Sequence, residues 1–338
     1  MCVAGGKRCE YSDALANVRK KYRSKNKDRI GTSSLEYEVK KEVVAFQEKN
    51  PDLVRAHMPE RLGFQYTPRK KEVSAELKAL LGDFKSPVKG VEGDIKNQFF
   101  KALNTRNKEW HENLNTAEEA ALHNYSLSAF EYINTFYRRH GFTAYMKEQS
   151  FMWAGDGREA FIQRLKDQGA SMDSALAKRP APEQPDKLYR FYRIPAGVSP
   201  ALFIKKYFPT GGGFKDKGFL STSADPEYIA AHIMDRSKGR RNKNYVVLEM
   251  LSDRGGSLQY REEPNPGWVQ SLEAEILLPR NTGFQIVDSG KKTFTFNKDR
   301  KDLEQRFRAF RATHSLDFSE GKSVEIPVVR MVDTKLIK

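Results

Sequence analysis

The sequence is poor in cysteine and lacks any long apolar run. Its 338 residues include only two cysteines, Cys2 and Cys9, which excludes a disulfide framework and cannot complete a four-ligand zinc site. No segment approaches the roughly 20 apolar residues that a membrane helix needs, so no membrane span is expected. No apolar segment follows the start, so a Sec-type signal peptide is not expected. The six histidines show no ligand spacing, and no metal site is predicted.

Acidic residues are also in deficit. There are 44 Asp and Glu side chains against 59 Lys and Arg side chains, which gives a formal net charge of +15. Such a balance suits acidic partners, including nucleic acid and phosphate-rich ligands, although a lysine-rich surface gives the same number. Basic clusters at 19–27 and 236–243 contain too few aromatic residues to form a stacking platform for single-stranded nucleic acid.

The local pattern of the chain changes along its length. Residues 1–110 are rich in Lys, Glu and Asp, and apolar spacing over 35–47 and 73–81 predicts short helices there. Further helices are predicted over 114–139, with a capping box from Thr116 to Glu119, and over 151–176, with a stop at Gly169. Beyond a Pro-rich linker at 180–185, short strands dominate, with a helix at 201–208. We therefore predict an α+β protein with a helical accessory or docking extension over 1–110 and a second domain over 111–338.

Two carboxylates mark the stretch around which the second domain is arranged. Glu273 and Glu275 lie at the start of a short apolar strand that Pro279 ends. In an extended chain, residues i and i+2 share a face, so both carboxylates are expected to face the same space. Like charges held this close repel one another, which a purely structural strand has little reason to tolerate. An acidic edge of a solvated strand is the alternative interpretation.

Three short motifs occur in order in this half of the chain, namely Tyr189-Arg190, Ser221-Thr222-Ser223 and Glu273-Ala274-Glu275. Together they resemble the arginine–serine–glutamate class of mono-ADP-ribosyltransferases, which includes bacterial binary toxins, clostridial Rho-modifying exoenzymes, and effector and phage enzymes. Upstream, a set of helical residues resembles the Tyr…Ile-Asn signature of that family: Tyr125, Tyr132, Ile133 and Asn134. The resemblance covers the chain from Leu114 to the C-terminus.

The resemblance implies a core of two small packed, mainly antiparallel sheets flanked by helices, with NAD as substrate and no metal. It implies that Glu275 stabilises a cation-like ribose and that Ser221 orients Glu275. Thr222 and Ser223 are expected to support the wall of the NAD pocket.

An arginine suits the NAD pyrophosphate because its planar fork makes two parallel charged hydrogen bonds to phosphate oxygens. Arg190 is the candidate, and Arg193 is the alternative because it repeats the Tyr-Arg pair on the other face of the strand. Phe191 stands where the family usually has glycine, and it is counted among the NAD-binding candidates.

The same resemblance suggests how the acceptor is recognised. Glu273 matches the acid that aligns an arginine guanidinium, and Trp268 is the expected aromatic contact in a target-recognition loop over 252–272. The expected partner is a macromolecule with an accessible arginine, in the first instance a protein.

Three alternatives stay open: the same chemistry on nucleic acid, water as the acceptor in an NAD glycohydrolase, and a non-catalytic binding or virion module. The expected setting is the cytoplasm, reached by a non-Sec route or with a virion.

Overall fold

The computed structural model describes residues 64–67, 72–82, 107–138, 157–182, 184–194, 198–230, 245–257, 274–295 and 323–337, together with positions 17, 42, 45–46, 49–50 and 233. Its strands are β1 (Phe64–Thr67), β2 (Asp186–Arg193), β3 (Gly213–Asp216), β4 (Leu220–Ser223), β5 (Tyr245–Ser252), β6 (Gly256–Ser257), β7 (Glu275–Leu278), β8 (Gly283–Thr295) and β9 (Ser323–Asp333). Its helices include α1 (Ala75–Leu81), α2 (Thr116–Asn124), α3 (Phe130–Arg138), α4 (Gly157–Ala177) and α5 (Pro200–Tyr207).

The described strands hydrogen-bond in the order β1-β3-β8-β9-β5-β2-β4-β7-β6, and among them only β5 and β9 run parallel. In a flat sheet β2 and β3 would lie about 19 Å apart, four strand spacings. The rings of Tyr192 on β2 and Phe214 on β3 are nevertheless 6.5 Å apart. The sheet therefore folds back on itself, so that its two halves pack face to face as two layers. The predicted α+β class is confirmed. The two predicted sheets form the two halves of one sheet, in which neighbouring strands are hydrogen-bonded throughout.

The main core lies between these two layers. Strand β5 is buried at every one of its 8 positions, as its central place in the order requires. Side chains from both layers and from α5 meet there, including Leu188, Phe203, Phe214, Leu248, Ile276, Phe284 and Met331.

A second core joins the helices to two strands at the far end of the order. Helices α2, α3 and α4 bury Leu122, Ile133 and Leu165 in this cluster, and the strand side contributes Phe219 and Leu277. Phe219 lies two residues before Ser221, and Leu277 lies two residues after Glu275. Helix packing therefore bears directly on the geometry of the candidate site.

Two elements from the predicted N-terminal extension lie on the sheet. Strand β1 pairs antiparallel with β3 from Phe64–Asp216 to Thr67–Gly213. Helix α1 buries Leu81 against a cluster from β5, β8 and β9, and Arg330 of β9 donates a hydrogen bond to the carbonyl of Gly82. The predicted border at residue 110 assigns these elements to the extension, whereas the structure places them on the sheet of the second domain.

Three local predictions about the helices change once tertiary packing is included. The capping box of α2 begins one residue early: Asn115 accepts from the Glu118 amide, and the Glu118 carboxylate accepts from the Asn115 amide. Glu118, and not Glu119, provides the carboxylate of the capping box, because Glu118 is buried against Ser174 and Lys178 of the α4 region.

The predicted join near Ser126 is a single π-helical turn (Tyr125–Ala129) that continues the helix into α3. Gly169 does not stop a helix but lies inside α4. A Cβ at Gly169 would come within 2.1 Å of the Tyr137 hydroxyl, so this glycine lets α3 and α4 approach closely.

We predict that Leu81→Ala destabilises the whole domain by about 2–4 kcal/mol, because it leaves a cavity in a shared core. Leu81 is 1% exposed, whereas its neighbour Leu80 is 56% exposed on the same helix. Leu80→Ala is therefore the matched control and should change stability little. Urea unfolding of both variants checks this. A separate accessory unit would instead leave the main unfolding transition of Leu81→Ala unchanged.

Candidate active site

The site is built on the antiparallel pair β4–β7. Ser223 pairs with Glu275, and Ser221 pairs with Leu277. Ser221 and Glu275 are therefore diagonal neighbours on one face of the pair, within reach of each other's side chains. The Ser221 hydroxyl donates a hydrogen bond to Oε1 of Glu275 at 2.5 Å. One oxygen of this carboxylate is thus held by the protein.

Arg190 enters from the neighbouring strand at the point where two strands separate. The ladder between β2 and β4 consists of the single pair Tyr189–Ser223. Beyond that pair the Arg190 side chain bridges the gap, and its Nη1 donates to the main-chain carbonyl of Ser221. Its Nε is buried and has no hydrogen-bond partner among the described residues. The structure therefore brings Arg190, Ser221 and Glu275 together, while Arg193 lies exposed at the end of β2.

The electrostatics of Glu275 follow from its surroundings. Burial raises the pKa of the Glu275 carboxyl above its ordinary value, and this effect outweighs the Ser221 hydrogen bond and the Arg190 charge, which both lower it. Burial also raises the pKa of the Tyr125 phenol, and the nearby Glu275 charge adds to that shift. The carboxylate thus carries its charge in a poorly solvated space, where its field on a bound group is strong.

Helix α3 sets the position of β4 by holding both main-chain groups of one residue. The Phe219 amide donates to Oδ1 of Asn134 at 2.8 Å, and the Phe219 carbonyl accepts from Nη2 of Arg138 at 3.2 Å. The amide group of Asn134 also donates to the Tyr125 hydroxyl at 2.8 Å. A Cβ at Gly218 would lie 2.6 Å from Asn134 Oδ1, so only glycine allows this approach.

Sequence reasoning missed Arg138 and Asp216. Arg138 makes two hydrogen bonds of 2.8 Å to the buried Asp216 carboxylate, which also accepts from the Gly218 amide at 2.9 Å. The available signal was the spacing: Arg138 follows Asn134 by four residues, which puts both on one helix face. Its partner Asp216 is distant in sequence, and no local pattern pointed to it.

Three other predicted site residues have their main contacts elsewhere. Thr222 alternates to the opposite face from Ser221 and donates to the Ile276 carbonyl at 2.6 Å, which ties β4 to β7. The Ser223 hydroxyl accepts from the Asp225 amide at 3.0 Å. Phe191 packs its ring 5.9 Å from that of Tyr245, on the side of β2 away from Arg190.

Glu273 and Glu275 were predicted to share one face of an extended strand, but the chain is not extended between them. Strand β7 begins at Glu275, and Ala274 before it has a positive φ of 45°. The chain is therefore not extended through this residue, and strand alternation does not apply. Ala274 is 2% exposed, and its carbonyl accepts from the Ala224 amide at 2.9 Å, which holds the turn in place. Glu273 and Trp268 themselves lie outside the described residues.

The sequence model of one protein family matches this chain over residues 103–310, which is more than half of its length. That model describes the ADP-ribosyltransferase exoenzymes. The chain belongs to this family. Arg190, Ser221 and Glu275 all lie inside the matched range. No curated protein matches the chain by sequence.

Among solved structures, this family member is similar to the enzymatic component C2-I of the Clostridium botulinum C2 toxin, with 18% identity, a TM-score of 0.42, and coverage of 69% of this chain and 47% of that one. The chain thus spans about half the length of that toxin component. Plx2a of Paenibacillus larvae gives 16% identity, a TM-score of 0.39 and coverage of 70% and 95%. Exoenzyme S of Pseudomonas aeruginosa, solved with human 14-3-3 protein beta and Carba-NAD, gives 15% identity and a TM-score of 0.38. The match covers 72% of this chain and 88% of that one.

Two further observations apply only to the described part of this exoenzyme-family chain. It contains no group of three or more His, Cys, Asp or Glu side chains that could hold a metal ion. None of its helices is long and apolar enough to cross a membrane.

We predict that Glu275→Gln raises the unfolding midpoint near neutral pH. An acid whose pKa is higher in the folded protein than in the unfolded chain loses its stability contribution as pH rises through the folded value. The wild type is therefore penalised at about pH 7 but not at about pH 3, where the carboxyl is protonated in both states. Thermal unfolding of both proteins at the two pH values checks this. An unchanged or lower midpoint for the variant near neutral pH would contradict the raised pKa of the Glu275 carboxyl.

Proposed function

We propose that this chain is an NAD-dependent mono-ADP-ribosyltransferase that transfers ADP-ribose to an arginine of a target protein. The observation that carries the proposal is the convergence of Arg190, Ser221 and Glu275, joined through the Ser221 hydroxyl and the Ser221 carbonyl. A carboxylate with one oxygen fixed by a serine, next to an arginine, suits a substrate that has both a ribose and a phosphate.

In the proposed reaction the bond between nicotinamide and C1′ of the ribose breaks, and the bonding pair leaves with neutral nicotinamide. The ribose becomes cation-like, as in glycoside cleavage. Ser221 occupies Oε1 of Glu275, which leaves Oε2 to face the ribose. Because the carboxylate is poorly solvated, its stabilisation of the developing positive charge is larger than it would be in water.

Arg190 is the proposed partner of the NAD pyrophosphate. Its Nη1 is committed to the Ser221 carbonyl, and its buried Nε has no acceptor among the described residues. The guanidinium thus keeps hydrogen-bonding capacity that no described residue uses, which fits an anionic ligand. The contact to Ser221 places this charge close to Glu275, so one bound NAD can meet both groups.

The acceptor assignment rests on Glu273. A guanidinium is cationic and becomes a nucleophile only when a carboxylate aligns it and takes a proton. Glu273 is two residues from Glu275 in the chain, and its carboxylate is the candidate for that step. In the balanced reaction a guanidine nitrogen forms the new bond to C1′, and its proton passes to Glu273.

We expect Glu275→Gln to lower the rate of nicotinamide release by at least about a hundredfold, because the cation-like ribose loses its stabilising charge. Glu119→Gln, at an exposed glutamate on α2, is the control and should match the wild type. Release of nicotinamide from NAD by the purified proteins measures both. Near-normal turnover in Glu275→Gln would sink the proposed function.

We expect Arg190→Ala to weaken NAD binding by more than about tenfold and Arg193→Ala by less than about threefold, since only Arg190 contacts the strand that carries Ser221. Calorimetry measures the affinity of both variants for NAD, and because both arginines lie on β2 each variant is a control for the other. The reverse order would mean that Arg193 is the phosphate ligand.

We expect Glu273→Gln to abolish transfer to a guanidine while keeping NAD cleavage, because water needs less activation than a guanidinium. Nicotinamide release and label transfer to agmatine, measured on the same variant, separate the two steps. Equal loss of both would make Glu273 part of the cleavage machinery. Unchanged transfer to cell extract, with label released by nuclease rather than protease, would identify nucleic acid as the acceptor.

A further inference from the structure

Tyr192 lies beside Arg190 and takes no part in the Ser221–Glu275 pair. Residues 190 and 192 alternate to the same face of β2. The guanidinium carbon of Arg190 is 5.3 Å from the centroid of the Tyr192 ring, a cation–π distance. Burial raises the pKa of the Tyr192 phenol, and the nearby Arg190 charge opposes that rise.

The Tyr192 ring is itself held in place by the protein. It is half-buried and packs on the main core, with the Phe214 ring at 6.5 Å in an edge arrangement. The charges of Asp216 and Arg138 also influence the pKa of its phenol, in opposite directions. Tyr192 therefore lies within electrostatic reach of both the Arg138–Asp216 pair, which positions β4, and Arg190, which contacts β4.

Arg190 needs such support because of its length. An arginine side chain has about 2 kcal/mol of rotamer entropy to lose when it is fixed. One hydrogen bond to the Ser221 carbonyl fixes a point but not the plane of the guanidinium. A flat ring at cation–π distance on the same strand face supplies the missing constraint.

We propose that Tyr192 is a positioning residue, whose ring holds the Arg190 guanidinium against the Ser221 carbonyl in the orientation that accepts an anionic ligand. The inference rests on the proposed function in one respect, namely that the ligand is the pyrophosphate of NAD. It adds a residue from outside the motifs that define the site.

The test compares Tyr192→Leu, Tyr192→Phe and Tyr66→Leu. Tyr66 is the matched control, because it too is a half-buried tyrosine on the main core, with the Tyr207 ring at 5.2 Å. Tyr192→Leu should weaken NAD binding and raise KM by about tenfold, the effect of a lost cation–π contact. Its kcat should stay within about twofold, since Ser221 and Glu275 are not touched. Tyr192→Phe keeps the ring, so its loss should be less than about threefold.

Tyr66→Leu should lower the thermal midpoint as much as Tyr192→Leu does, without raising KM. The inference is overturned if Tyr192→Leu binds NAD like the wild type, or if both leucine variants lose the same affinity.

The ¹⁵Nε–H NMR signal of Arg190 gives a readout without NAD. Its chemical shift should change in Tyr192→Leu and stay the same in Tyr66→Leu. An unchanged chemical shift in Tyr192→Leu also overturns the inference. A wild type that neither binds nor cleaves NAD would instead refute the proposed function alone.

Discussion

The hydrogen bond from Ser221 to Glu275 is the interaction on which the candidate site depends. It holds a carboxylate in a poorly solvated space, where burial raises the pKa of Glu275. Such a charge costs stability in the free protein and has a large effect on any cation that forms beside it. The arrangement is the exchange of stability for function that active sites commonly show. The surrounding structure is built to keep these two side chains on one face.

That arrangement is secured by contacts from three directions. The β4–β7 register places the two side chains diagonally. Asn134 and Arg138 of helix α3 hydrogen-bond to the main chain of Phe219, just before β4. Arg190 bridges the gap where β2 and β4 separate, and so brings a positive charge to the same place. Because each contact joins different elements, the site depends on the assembled fold and not on any single motif.

Much of the second half of the chain could be predicted, because its strands have strong local patterns. The predominance of short strands beyond the linker was predicted from local patterns, and Arg190, Ser221 and Glu275 were named together from the family resemblance. Strand β1, four residues long, was missed because nothing local distinguishes it, and its partner β3 is far along the chain. The turn at Ala274 was missed because a positive φ at alanine depends on tertiary contacts, here the bond from Ala224. Gly169 was misread because its role is to make room for Tyr137 from another helix.

The most direct test asks whether Ser221 acts through Glu275. Ser221→Ala is made in the wild type and in Glu275→Asp, whose shorter carboxylate cannot keep the same hydrogen bond, and nicotinamide release is measured for all four proteins. Residues that act through one contact give non-additive losses in such a cycle. We expect Ser221→Ala to lower the rate of nicotinamide release about tenfold in the wild type, the loss expected for a charge-assisted hydrogen bond. In Glu275→Asp the same substitution should change that rate little. The same loss in both backgrounds would mean that the two residues act independently, which would contradict the account.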